Sequence, residues 1–264
     1  MTAEVKALVG TMRISVEQLI EQLLPWAAEK AIVPASRFKV GAVSRGNSGN
    51  LYLGANIEFK GMPVYTTIHA EQASIANAMS HGETGIKSLS VTAPPCGMCR
   101  QFLNELNTSA ELKIQIGNDE PVLLPQILPQ GFGPDDLDVR FKLMDDVTKG
   151  FNLETPTDDE LANKALEAVN KSHSPYTSSH AGVAIKTRNG QIFIGHYLEN
   201  AAYNPSMLPL QAGLSNLVMA GRNFAEISDV VLVQCEDAAV NHIEAAQKLL
   251  NSISSVPLRI YKAV

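Results

Sequence analysis

The chain has 264 residues, a formal net charge of −6 and a sequence pI near 5.5, with 45% hydrophobic and 18% charged residues. That balance describes an ordinary globular protein with ample core, long enough for one large domain or two of common size. The acidic balance disfavours a nucleic-acid partner, no stretch reaches the roughly 20 apolar residues of a membrane span, and three cysteines are too few for a disulfide scaffold.

Met1 to Ile20 carries scattered charges and no apolar core of signal-peptide length, so a reducing, cytoplasmic setting is expected. Val16 to Lys30 reads as an amphipathic helix with Leu19, Ile20, Leu23, Leu24 and Ala27 on one stripe, ended by Pro34 and Ser36. Phe38 to Val43 and Leu51 to Ala55 read as strands around a hairpin turn at Gly46-Asn47-Ser48-Gly49-Asn50, with Asn56 to Phe59 finishing the second. A helix without Gly or Pro follows His69, a short strand at Leu89 to Ala93 runs into Pro94-Pro95, and a second helix spans Cys99 to Leu106. A strand at Leu112 to Ile116 closes the set. Helix, strand, strand, helix, strand, helix, strand predicts an α/β sandwich. From Pro121 to Asp158, with prolines at 121, 125, 129, 134 and 156, the pattern loosens into a connector.

The second half echoes the first. Ser179 to Ile185 matches Arg37 to Val43; Gly190, Gly195 and Glu199 follow Gly49, Gly54 and Glu58; Leu210-Gln211-Ala212 matches Glu71-Gln72-Ala73; and Val230 to Val233 matches the strand at 88–91. A period this long is a duplicated domain rather than a solenoid unit. The expected layout is a chemically active domain over 15–135, a linker over 136–156 and a degenerate copy over 157–264.

The chemistry concentrates in His69-Ala70-Glu71 and Pro95-Cys96-Gly97-Met98-Cys99. Both lie where a strand or loop meets a helix N-terminus, where the dipole favours thiolate. One imidazole and two thiols make three ligands, the number that a catalytic zinc takes while keeping a position for water; one Zn2+ per protomer is expected. Glu71 follows its histidine by two, close enough to exchange protons with that water. A structural zinc would require a fourth ligand, and the nearest spares, His81 and Cys235, sit in no comparable motif. In the repeat, Leu208 and Leu210 stand where His69 and Glu71 would recur, so a metal-free second domain is expected.

His-x-Glu followed by Pro-Cys-x-x-Cys is the signature of the zinc deaminases. Together with Arg37 to Val43, Gly54 to Phe59, Arg100-Gln101-Phe102, Phe132-Gly133-Pro134 and Glu199 to Pro205, it resembles the long, two-domain form of cytidine deaminase from about Leu23 onward. The resemblance implies a duplicated three-layer α/β/α sandwich, active as a homodimer, that hydrolyses cytidine and 2′-deoxycytidine to the uridines and ammonia in pyrimidine salvage. It makes His69, Cys96 and Cys99 the zinc ligands and Glu71 the proton shuttle. It assigns Asn56-Ile57-Glu58 to the sugar 3′-hydroxyl, Phe38 to stacking on the pyrimidine, the Ala70 amide to its carbonyl, and Phe132 and Ala202 to the partner protomer's site. The N-terminal extension of the enteric form is shortened here, and Pro94 stands where some relatives carry Thr. Three rivals stay open: a nucleic-acid editor, which would require a basic groove; a nucleotide deaminase, for which Arg45 is the nearest unexplained cation; and a non-catalytic zinc module, which has no use for Glu71.

Overall fold

The computed structural model describes residues 3–264. A helix, α1 (Ala3–Met12), lies ahead of the first predicted element and buries Val5. α2 (Val16–Glu29) opens on a reciprocal cap: Ser15 Oγ accepts from the Gln18 amide at 3.1 Å and Gln18 Oε1 accepts from the Ser15 amide at 2.8 Å, an arrangement worth about 1 kcal/mol. Val16, Leu19, Ile20, Leu24 and Ala27 bury the expected stripe, with Leu23 half-buried at its edge.

β1 (Gly41–Gly46) and β2 (Leu51–Ala55) form the hairpin, with Gly49 in the left-handed region at φ 89° in the turn. The first strand was expected over Phe38 to Val43 and instead starts three residues later. Arg37 turns the chain at φ 57°, and the Asn56 side chain takes the Val40 amide and the Phe38 carbonyl, so 38–40 is a tied loop rather than a ladder. The second strand stops at Ala55; beyond it Ile57 makes only single bridges to Ile32 and Ile68. α3 (Ala70–Ser80), β3 (Ile86–Val91), α4 (Gly97–Leu103) and β4 (Lys113–Ile116) follow in the predicted order, α4 starting two residues before the expected Cys99 and ending three residues short of Leu106. The stretch from Pro121 is less loose than its prolines suggest: β5 (Val122–Leu123) and α5 (Leu124–Ile127) lie in it.

The first sheet runs β2-β1-β3-β4-β5, with β3 and β4 parallel and every other pair antiparallel. Alternation along β1 places the layers: Val43 packs with the apolar stripe of α2, while Ser44 Oγ on the other face donates to the Ser74 carbonyl of α3 at 3.4 Å. α4 lies in the crossover between the parallel strands, which sets its N-terminus beside that of α3.

The second half repeats this plan with α6 (Glu160–Asn170), β6 (Ala181–Thr187), β7 (Ile192–His196), α7 (Pro209–Met219), β8 (Ile227–Cys235), α8 (Ile243–Asn251) and β9 (Leu258–Ala263). Its sheet runs β7-β6-β8-β9, with β8 and β9 parallel. Between the halves, Leu143 bridges to Leu106 and Leu153 to Ala263, so the connecting chain is anchored on both domains.

α3 and α7 pack on each other between the two sheets, and one apolar core runs through both halves. Every residue of α7 is buried, as are eight of the eleven in α3, which is why neither shows an amphipathic pattern. The contact is reciprocal. Gln72 Nε2 donates to the Pro205 carbonyl at 3.0 Å, and Gln211 Nε2, 139 positions later, donates to the Thr66 carbonyl at 2.9 Å. The two domains are thus related by a local pseudo-twofold axis between these helices. The fold is the duplicated α/β sandwich that the sequence pattern predicts.

Candidate active site

Two helix N-termini converge on the site. His69 is the residue before α3, with φ −87° and ψ 153°, and Gln72 Oε1 accepts from its backbone amide at 3.2 Å. That cap is made by the glutamine, so the imidazole is left free to turn toward α4. Cys96 occupies the matching position before α4, with φ −68° and ψ 169°, and Cys99 lies one turn on.

His69 Nδ1 stands 3.6 Å from Cys96 Sγ and 3.2 Å from Cys99 Sγ, and the two sulfurs are 3.6 Å apart. Donors placed tetrahedrally around zinc at its usual bond lengths are about 3.6–3.8 Å from one another. The two 3.6 Å edges match that spacing, and the 3.2 Å edge from His69 to Cys99 has only to open by a few tenths of an ångström to admit the ion. It is the cluster of metal-ligating side chains found among the described residues, and three ligands leave a tetrahedral position open. His81, one spare candidate, turns its Nδ1 to the Asn77 carbonyl at 2.8 Å, and Cys235 is buried at the end of β8. The hydrogen bonds from Cys99 and His69 pull the Cys96 thiol down to about 3, and the bond to Cys96 raises the His69 imidazole. Cys99 is pushed up, by Cys96 first and then by burial, so one thiolate is already favoured without a metal.

Glu71, in the first turn of α3, is 4% exposed, and burial pushes its carboxyl above the usual range. It floors a cleft of about 280 Å³ with His69, Ala70 and Cys96; Phe38, Val40, Asn56, Glu58, Thr67, Ala93 and Pro94 make the walls. Larger hollows of about 740 and 800 Å³ lie elsewhere, and neither contains the metal-ligand triangle. No Lys or Arg is among the residues that line this cleft. Arg45, the cation that a substrate phosphate would use, pairs with Glu17 at 3.3 Å instead.

The sugar-binding trio separates. Asn56 Oδ1 accepts from the Val40 amide at 2.9 Å and its Nδ2 donates to the Phe38 carbonyl at 2.9 Å, so this side chain shapes the loop that presents Phe38. Glu58 accepts from the Ala35 and Ser36 amides at 2.8 and 3.1 Å. Desolvation pushes its carboxyl up, but those hydrogen bonds outweigh it and hold the group below the usual range. Ile57 offers the cleft nothing: its side chain is fully buried and its amide and carbonyl are both taken by Ile68. Strand-like alternation turns its side chain away from those of Asn56 and Glu58. Phe38 stands 61% exposed at the rim. Phe132 and Ala202 are not in this chain's own cleft; the Phe132 ring is 44% exposed. Thr67 is a wall residue that sequence reasoning missed, and its only signal was its place two residues ahead of His69.

At the matching place in the second domain, Leu208 precedes α7, and Gln211 Oε1 caps its amide at 2.9 Å as Gln72 caps His69. Glu199, the counterpart of Glu58, is fully buried and accepts from the Tyr176 and Thr177 amides at 2.8 and 3.2 Å. The scaffold of the site survives there without its ligands.

Comparison with known proteins agrees with this geometry. The family model "Cytidine and deoxycytidylate deaminase zinc-binding region" matches residues 15–112, and a second model of the same description matches residues 124–247. The cytidine deaminase of Proteus mirabilis (strain HI4320) is 43% identical over 253 residues, covering 96% of this chain and 85% of the relative. That of Yersinia pestis (strain Pestoides F) is 45% identical over 254 residues, with 96% and 86% covered. A crystal structure of cytidine deaminase from Mycobacterium tuberculosis, 33% identical, spans 44% of this chain and 96% of its own, with a TM-score of 0.40. With relatives this similar along almost its entire length, the chain belongs to the cytidine deaminase family.

Proposed function

We propose that this protein hydrolyses cytidine and 2′-deoxycytidine to uridine and 2′-deoxyuridine with release of ammonia, as a pyrimidine-salvage enzyme. The observation that carries the reading is the convergence of the His69, Cys96 and Cys99 donors with a buried carboxylate, Glu71, on the floor of one small cleft. The chemistry that zinc supplies when held by these donors is acidification of water toward a pKa of about 7.

Glu71 takes a proton from the attacking water and delivers it to the pyrimidine ring nitrogen, then assists departure of the amine as ammonia. Its burial suits it to hold a proton between those steps. The Ala70 amide, at the first turn of α3, faces the pyrimidine carbonyl, and Phe38 stacks on the ring. Asn56 and Glu58 grip the ribose 3′-hydroxyl through the hydrogen-bonding capacity that their backbone contacts leave free. The Glu58 carboxylate in the wall, the absence of Lys and Arg from the lining and the acidic balance of the chain favour a nucleoside over a nucleotide or a nucleic-acid strand.

Residues 15–135 carry this chemistry, 136–156 connect, and 157–264 act as the metal-free scaffold. The chain works as a homodimer. Phe38, Val64, Tyr65, Phe132 and Tyr203 are all large and exposed, with Phe38 at the cleft mouth, and a second copy covers them while its Phe132 and Ala202 complete the site. No helix among the described residues is long and apolar enough to cross a membrane. Cysteines kept free as metal ligands suit the cytoplasm.

The test is ultraviolet absorbance on cytidine, with zinc content measured alongside. Wild type converts the cytidine band to that of uridine. Glu71→Ala keeps its zinc and loses about 10²–10⁴ in kcat, the usual contribution of general acid–base catalysis. Absence of turnover from zinc-loaded wild type on either nucleoside overturns the reading.

A further inference from the structure

α4 is a two-sided element. One side carries Cys99, Phe102 and Leu103 into the first domain. Gln101, Asn104 and Glu105, spaced i, i+3 and i+4, form the other side and its exit, and all three reach other segments. Gln101 Nε2 donates to the Phe132 carbonyl at 2.6 Å and to Asn200 Oδ1 at 3.3 Å. Asn104 Nδ2 donates to the same Phe132 carbonyl at 3.0 Å. Asn200 Nδ2 returns a bond to the Gln101 carbonyl at 2.9 Å, and Asn200 Oδ1 also accepts from the Ala202 amide at 3.0 Å.

Glu105 completes the set. It is fully buried and sits in the second domain's surface, where Oε1 pairs with His173 Nε2 at 2.9 Å and accepts from Tyr176 OH at 2.6 Å. Its Oε2 accepts from the Ala201 amide at 3.0 Å. A carboxylate taken fully out of water between two domains is costly unless it is satisfied this completely, so the arrangement is specific. The loop it holds is itself under tension, since Tyr203 has φ 57° and points 58% exposed into solvent.

We propose that Gln101, Asn104 and Glu105 are positioning residues that act in trans: from the outer side of the helix bearing the cysteines, they fix Phe132 and the 200–203 loop in the pose in which these enter the partner protomer's cleft. The inference rests on the homodimer reading above. It gives the metal-free domain a defined task, because His173, Tyr176 and the Ala201 amide are the groups that lock Glu105.

Mixed dimers separate this role from a structural one. In the first, a wild-type protomer is paired with one carrying both Glu71→Ala and Glu105→Gln, so that the single live cleft depends on the altered partner. Its KM for cytidine is expected to rise five- to tenfold against a control pairing of wild type with Glu71→Ala, with kcat unchanged within twofold. In the second, a protomer carrying Glu105→Gln alone is paired with Glu71→Ala, and its KM is expected to match the control. A defect in the second dimer, or no change in the first, overturns the proposal. Gln101→Met, which removes polar contacts without stranding a buried charge, is run through the same pairings and keeps the test open if Glu105→Gln does not fold. Light scattering on wild type separates the two layers of argument. An active monomer overturns the dimer and this proposal with it, whereas a dimer with an unaltered KM overturns this proposal alone.

Discussion

Asn56 and Glu58, the proposed sugar contacts, also hold a loop. Both were legible in the sequence as a polar pair near a strand end, yet the structure binds them to the backbone of 35–40 through four hydrogen bonds of 2.8–3.1 Å. Glu199 makes the same two amide bonds in a domain without metal ligands, so loop support is a role that stands apart from substrate binding. Asn56→Ala therefore releases the Phe38 loop as well as removing the proposed sugar contact. We expect KM for cytidine to rise at least tenfold with a smaller fall in kcat, read from steady-state kinetics. The His69, Cys96 and Cys99 cluster was readable because its spacing is set by the ion. The loop-holding work of Asn56 was not, because its partners lie 16 and 18 residues away and leave no local pattern.

At the scale of elements, two glycines set how closely a helix approaches its strand. A methyl on Gly54 would stand 2.1 Å from the Ala70 carbonyl and 2.4 Å from the Ser74 amide, and one on Gly195 would meet the Pro209 carbonyl at 2.1 Å and the Gly213 amide at 2.2 Å. Backbone cannot yield as a side chain can, so either substitution to Ala drives its helix off the sheet at a cost of about 1–3 kcal/mol or more. The two are expected to part in function. Gly54→Ala moves the start of α3, which holds His69 and Glu71, and lowers kcat and zinc affinity together. Gly195→Ala lowers the thermal midpoint and leaves zinc binding intact, as metal titration would show. Helix periodicity exposed α2, but α3 and α7 were readable only by length, motif and repeat, since burial on all sides erases the stripe. The apolar alternation of Phe38-Lys39-Val40 imitated a strand; tertiary hydrogen bonds from Asn56 overrode it.

For the molecule as a whole, the second domain brings an acid sensitivity carried by buried histidines. His180 is 7% exposed, 2.8 Å from Ser172 Oγ, and burial, with the nearby charges of Lys149 and His173, pulls its imidazole down to about 4. Burial depresses His196 and His242 in the same direction. A histidine held neutral in the fold but free to charge when unfolded contributes stability that is complete above its ordinary value of 6.5 and is lost as pH falls from there toward 4. For His180 alone this is at most about 3 kcal/mol. Urea midpoints between pH 7 and 4.5 are expected to fall less steeply in His180→Asn than in wild type. The duplication itself was plain in the sequence from its glycines and Gln-Ala pairs. The manner in which the copies meet was not, because the Gln72 and Gln211 bonds join positions more than 130 residues apart.

That reciprocal contact has a consequence for synthesis on the ribosome. When α3 has emerged, α7, its packing partner, is still some 139 residues from being made, as the spacing of Gln72 and Gln211 measures. At about 5–20 residues per second the delay is roughly seven to thirty seconds, long against the folding of a single domain. Throughout that interval the nascent first half presents an apolar helix face with nothing to cover it. The stretch between the domains is thus also a waiting time, and chaperone capture of the nascent chain should peak before residue 219 leaves the exit tunnel and decline after it.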